Sequence, residues 1–429
     1  MTDTGTNFAF SKYQKFVVAV LAFLQFTVVL DFMILSPLGA QLMPGLHITP
    51  AQFGMVVSTY AFSAGVSGFL AAGFADRFDR KKLLMLFYAG FLTGTLLCGF
   101  ASNYALLVFA RLVTGLFAGV VSSASLAIIA DVFPLQMRGR VMGVIQTAFA
   151  ASSVLGIPIG LLLSNTWGWN APFFMIVAVG ALVGLSIQSF MRPVNAHLKK
   201  SPDRSPLHHI LHALSNRLYL QGFATTGLLS VGGFMLMPFM SAFMVHNVGI
   251  PIEKLPLIYV LTGLVSVVTG PLIGRASDTF GKFKVFCFGC LVTIVMVFIF
   301  THLTISPLWL LVIVLAVLQV GIFSRMISAS ALTSALPEPA DRGSYMSISS
   351  SLQQVAGGVA SVLSGMMVEE GAGGSLLHFE RVGYALILTT LITLTLMYFI
   401  NRRIGMLGRT PASAPPDGAA DAPPVKSVA

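Results

Sequence analysis

Three ionisable side chains stand in apolar surroundings where their chemistry is out of place. Asp31 lies in Val28-Val29-Leu30-Asp31-Phe32-Met33, Arg111 in Leu107-Val108-Phe109-Ala110-Arg111-Leu112, and Arg325 in Gly321-Ile322-Phe323-Ser324-Arg325-Met326. A charge in such a run is costly, so each points to a cavity, a partner or an ion pathway. Asp31 is the one acid deep inside an apolar run. Burial favours its neutral form and a nearby guanidinium favours the carboxylate, so a carboxyl group held between them can bind and release a proton. Arginine stays charged at any accessible pH and can only modulate that exchange. A structural ion pair between Asp31 and Arg111 is the alternative reading. Arg325 either meets an anionic group in a cavity, stands in for a proton carrier, or snorkels toward a surface about 15 Å away.

Other reactive groups do not assemble into a site. Cys98, Cys287 and Cys290 all fall in apolar runs, where cysteine behaves as an inert packing residue. His197, His208, His209 and His212 share one polar stretch, but no acid or cysteine completes a metal set there. No cofactor and no metal are expected.

The elements that must position these residues follow from composition. The chain of 429 residues is 56% apolar and only 9% charged. A water-facing surface needs far more charge, near 25%. The apolar residues form blocks of about 20, the length a helix needs to cross a bilayer core. Spans are predicted at 15–40, 52–75, 83–101, 104–130, 141–163, 170–191, 218–245, 255–276, 285–302, 306–334, 344–368 and 381–401. The fold class is therefore an all-α membrane protein with twelve transmembrane helices in two six-helix pseudo-symmetric bundles. The predicted division is 1–191 for the first bundle, 192–217 for a linker, 218–403 for the second bundle and 404–429 for a disordered tail.

Of the 25 basic residues, 21 fall at the termini and in alternate loops on one side, and only Lys254 and Arg381 on the other. The positive-inside rule then places both termini and the central loop in the cytoplasm. The same asymmetry explains the net charge of +10 without nucleic acid. Asp31 is nine residues from the outer end of its span and Arg111 about seven from its own, so at about 1.5 Å per residue they share a depth.

The halves repeat. Gly73-Phe74-Ala75-Asp76-Arg77-Phe78-Asp79-Arg80-Lys81-Lys82 follows the second span, and Gly274 to Lys284, with Asp278 and Gly281, follows the eighth. Ser123-Ala124-Ser125 with Arg138-Gly139 likewise echoes Ser328-Ala329-Ser330 with Arg342-Gly343. Parallel repeats with a site between them are a transporter plan.

At these residues the chain resembles the major facilitator superfamily, whose mark between helices 2 and 3 is G-x-x-x-D-[RK]-x-G-[RK]-[RK]. The first copy departs from it, with Ala72 and Asp79 in the glycine places, and the second has Thr279 where a base belongs. The resemblance implies a cytoplasmic gating loop formed by Gly73, Asp76, Arg77, Arg80, Lys81, Asp131, Asp278 and Gly281, which latches the outward-facing state; a topology signal alone is the alternative. Arg111 with Gly115 is similar to the R-x-x-x-G element of proton-driven members. Gly156, Pro158 and Gly160 resemble the antiporter element of helix 5, and an ordinary kinked helix is the alternative. The reading is a proton-coupled efflux transporter with Asp31 and Arg111 as coupling residues. A proton-coupled importer is the rival, and a membrane enzyme or receptor lacks any catalytic cluster or extramembrane domain. Gln25, Gln146, Gln319, Arg325 and Gln353 are the candidates for a substrate cavity. The expected partners are a small molecule, protons and membrane lipids, with the chain acting as a monomer; drug, sugar, nucleoside and siderophore-like cargoes stay open.

Overall fold

The computed structural model describes residues 10–195, 198, 214–338 and 341–407. The helices begin where the sequence carries capping groups. Ser11 and Gln14 form a capping box ahead of α1 (Lys12–Leu46), and Thr49 with Gln52 forms one ahead of α2 (Pro50–Phe74). Such side chains satisfy backbone N–H groups that the first turn leaves free. Asp79 caps α3 (Arg80–Gly99) and Asn103 caps α4 (Tyr104–Val132). The fifth helix, α5, is a composite: Leu135–Ala151, a π turn at Ser152–Gly156, and Ile157–Trp167. It is followed by α6 (Ala171–Phe190).

The second half repeats the scheme. Its first helix, α7, runs Arg217–Leu236, tightens to a 3-10 turn at Met237–Phe239 and continues over Met240–His246. Then come α8 (Leu255–Phe280), α9 (Lys282–Thr301), α10 (Leu308–Thr333), α11 (Arg342–Met367) and α12 (Phe379–Leu407). A small hairpin, β1 (Glu369–Glu370) with β2 (Leu376–Leu377), lies between α11 and α12. Each predicted span coincides with one of these helices. The predicted tail boundary moves, because α12 continues to Leu407. The rest of the tail and most of the linker, with its histidines, lie outside the described residues.

Among the described residues, eleven helices are long and apolar enough to cross a membrane, and α11 is the exception. Its first half reads Arg342-Gly-Ser-Tyr-Met-Ser-Ile-Ser-Ser-Ser-Leu-Gln-Gln. It nevertheless packs along α2 and α7, so it shares their depth, and protein neighbours rather than lipid accept much of its polar surface.

Packing within each half is dense: α2 and α3 on α4, and α8 and α9 on α10. Between the halves, α2 packs along α11 as far as Gly65, where a Cβ would fall 2.9 Å from Val355, and further contacts gather at the end away from the basic loops. There Ser36 of α1 donates to the Met237 carbonyl, and Ser241 donates to the Ser36 carbonyl at 2.9 Å. Phe53 of α2 meets Phe239 of α7 edge-on at 5.9 Å. A Cβ at Gly54 would fall 2.4 Å from the Ser361 carbonyl oxygen, and one at Gly263 would fall 3.1 Å from the Val154 backbone. At the basic end, by contrast, Gly139 and Gly143 of α5, Gly270 and Gly274 of α8, and Gly343 of α11 have nothing within 4 Å of a would-be Cβ. The halves therefore meet at one end and part at the other.

Candidate functional site

The first half holds its charges where α1, α3 and α4 converge. Asp31 and Arg111 are each 0% exposed. The Arg111 Nη1 donates to Asp31 Oδ2 at 2.8 Å and lies 3.4 Å from the Asp31 carbonyl oxygen. Thr95 of α3 donates to the other carboxylate oxygen at 3.1 Å. The guanidinium also lies over the Tyr60 ring of α2, 4.3 Å from its centroid, an arrangement that stabilises a desolvated cation. The pairing expected from depth is thus a direct contact.

Small residues bring the four helices this close. A Cβ at Gly115 would fall 2.5 Å from the Tyr60 carbonyl oxygen, and one at Gly94 would fall 2.7 Å from the Thr114 nitrogen. These glycines seat α4 against α2 and α3 and set the reach of Arg111. Gly156 and Gly160 of α5 face α1 on either side of Asp31: a Cβ at either would fall 2.7 Å from Leu30 or Ile34 respectively. Pro158 has no N–H to donate, and the π turn ahead of it absorbs the change, with Ile157 bonding back to the Ser152 carbonyl.

At the basic end, Arg80 Nε pairs with Asp131 Oδ2 at 3.2 Å. Lys81 turns the other way and donates to the carbonyls of Gln188 and Met191 at 2.9 and 2.7 Å, closing the last turn of α6. Asp79, standing where the motif has glycine, accepts from the Lys81 and Lys82 amides. Its partner in the repeat, Gly281, keeps glycine and has φ +98°, a backbone that other residues adopt at a cost. Asp278 and Arg77 are exposed. The side chains of Gly73, Asp76 and Gln146 lie outside the described residues.

The other cavity candidates are dispersed. Gln25 is half-buried on α1 and Gln353 is exposed on α11. Gln319 donates to Ser266 at 3.1 Å, which ties α10 to α8. Arg325 is buried within the second half, away from the Asp31 pair. Sequence reasoning missed Tyr60 and Thr95 as partners of the pair; neither carries a local signal, since ring and hydroxyl reach it only through helix packing. Above the pair, Phe32 packs on Tyr60 at 5.4 Å and on Phe234 of α7 at 5.8 Å, linking the charged cluster to the other half.

Comparison with known proteins agrees with this architecture. The family model described as Major Facilitator Superfamily matches residues 21–235 and 222–427. The MFS-type transporter YceJ of Bacillus subtilis is 27% identical over 62% of this chain and 68% of its own length. Multidrug resistance protein 2 of the same organism is 22% identical over 65% of this chain and 71% of its own. Among solved structures, a bacterial homolog of the human lysosomal transporter Spinster, inward-facing and unoccupied, aligns with a TM-score of 0.70. It is 15% identical and covers 94% of this chain and 98% of its own.

Proposed function

The chain belongs to the Major Facilitator Superfamily, and on that premise we propose that it is a proton-coupled antiporter exporting a small organic molecule across the cytoplasmic membrane. The observation that carries the reading is the buried Asp31–Arg111 ion pair. Asp31 is the one acid set in the middle of a membrane helix among the described residues. A coupling group must change charge during the cycle, and Asp31 is the group able to do so at that depth. Arg111 acts as its modulator, holding the carboxylate until a proton replaces the guanidinium as the neutralising charge.

Direction rests on two supports. One is the likeness to a protein named for multidrug resistance. The other is Gly156, Pro158 and Gly160, which seat α5 on α1 beside Asp31, so that a change at the carboxylate is felt where the halves meet. With the basic loops and both termini in the cytoplasm, the open end faces the cytoplasm, the state in which an exporter loads. Arg80 with Asp131, together with Asp76, Arg77, Lys81 and the second-copy Asp278 and Gly281, forms the gating loops. The first half, residues 1–191, and the second, 218–403, rock about the site between them.

Inverted membrane vesicles test this. Acidifying the interior should drive uptake of exported cargo, followed with a panel of fluorescent small molecules, and alkalinise the lumen. A protonophore should abolish both. Uptake that persists under the protonophore, driven by the cargo's own gradient, would mark a uniporter instead.

A further inference from the structure

Arg325 is a buried cation with no opposite charge beside it. It is 3% exposed, and neither its Nε nor its Nη2 has a hydrogen-bond partner. The Cys290 thiol of α9 lies beside the guanidinium, but a thiol is no counter-charge. On the α7 side stands Gly232, where a Cβ would be 3.6 Å from Nη2 and 3.0 Å from the Thr389 hydroxyl. Every acid of the second half, among the described residues, lies in a loop, in the β1–β2 hairpin or in a terminal or single turn of helix. The first half shows the contrast: there the buried Arg111 has Asp31.

The free atoms form a pattern. Nε and Nη2 make up one edge of the guanidinium, two parallel donors with the spacing of a carboxylate's two oxygens. Arg325 stands eight residues from the basic end of α10 at Thr333, roughly 12 Å along the helix, deeper than a lipid headgroup sits. What separates it from the gap between the halves is a di-glycine. Gly232 faces the guanidinium, while Gly233 is exposed with nothing within 4 Å of a would-be Cβ. The neighbouring Phe234 and Met237 contact Phe32 and Ser36 of α1, so this stretch of α7 borders the opening.

We propose that Arg325 is the anion-recognising group of the cargo site, and that the cargo carries an acidic group, such as a carboxylate or sulfonate, which pairs with Nε and Nη2 past Gly232 and Gly233. The inference rests on reading the chain as an exporter of small organic molecules and names the class of cargo. Binding of probes to the purified full-length protein, without any proton gradient, tests it separately. The probes are 1-naphthoate, 1-naphthalenesulfonate and the neutral 1-naphthamide, followed by thermal shift. Wild type should bind the two anions roughly tenfold or more tightly than the amide. Arg325→Gln should reduce the anions to the level of the amide, and Arg325→Lys should keep part of the preference. Equal binding of acid and amide by wild type, or no binding of either, overturns the proposal, and so does an Arg325→Gln protein that keeps the preference. The wild-type comparison stands even if Arg325→Gln does not fold. Anion selectivity without pH-driven transport would remove the export reading and leave this site in place.

Discussion

Replacing Asp31 with Asn separates coupling from transport. One acid set in the middle of a membrane helix means one proton per cycle on the proposed reading. A pH difference of two units then supplies about 2.7 kcal/mol per proton, since each unit is worth about 1.36 kcal/mol. That limits cargo accumulation to roughly 100-fold in wild type. Asn keeps the shape: its one amide oxygen can still accept from Arg111, which donates to Asp31 Oδ2 at 2.8 Å. Its NH2 takes the place of the oxygen that Thr95 bonds at 3.1 Å, where the Thr95 hydroxyl accepts instead while donating to the Phe91 carbonyl. Asn removes the negative charge, so the buried guanidinium loses part of the roughly 3–5 kcal/mol associated with breaking a buried pair. The variant should therefore fold with a lowered thermal midpoint, exchange labelled cargo across a membrane without a gradient, and accumulate none when the pH gradient is imposed. Proteoliposomes carrying a pH dye and labelled cargo report both fluxes together. Wild-type accumulation by Asp31→Asn with normal proton flux would refute the reasoning and make the pair a structural clamp.

Gly160→Leu should collide with Ile34 and push α5 off α1; overpacking of this kind costs about 1–3 kcal/mol, and loss of transport with protein still in the membrane is the expected readout. Asp131→Asn should slow transport by loosening Arg80, whereas Asp278→Asn, at an exposed position, should leave the rate near wild type; cargo flux normalised to protein level compares them. Ser36→Ala with Ser241→Ala removes two hydrogen bonds between the halves, each worth about 0.6 kcal/mol in a membrane, and should shift the population roughly sevenfold toward the state open at the far end, read as faster thiol labelling of a cysteine placed at the buried Ser361. Cysteines at Asn103, Asn165 and Gly373 should label from outside the cell and those at Asp79, Asn195 and Gly281 should not.

The membrane class and the helix positions were legible because lipid imposes a simple rule on composition, and the Asp31–Arg111 contact was legible because charges at one depth must find each other. What escaped the sequence depends on helix rotation and approach. Tyr60 and Thr95 look like any other polar residue in a span until Gly115 and Gly94 draw α2 and α3 against α4. Asp79 reads as a damaged motif, yet at negative φ it serves as the cap of α3, a role that a glycine cannot fill with a side chain. The π turn at Ser152–Gly156 leaves no mark beyond Pro158. Gln319 reads as a cavity residue but bonds Ser266, because a polar group in a span finds the nearest acceptor, whether or not a cavity adjoins it.

The charge site and the seam between the halves are carried by one helix. On α1, Asp31 grips Arg111 of α4, and Ser36, five residues further along, is bonded to α7 through both its hydroxyl and its carbonyl. That separation is about 7.5 Å of helix rise, within one rigid segment. Leu30 and Ile34, on the turns flanking Asp31, fill the recesses of Gly156 and Gly160, and Val154 on the same helix meets Gly263 of α8. On the proposed reading, a proton on Asp31 weakens its hold on α4 and frees α1 to shift, and the routes out of that shift, through α7 and through α5 to α8, end at contacts between the halves. The coupling proposed for Asp31 would therefore run through shared packing, with no separate relay needed between charge and access.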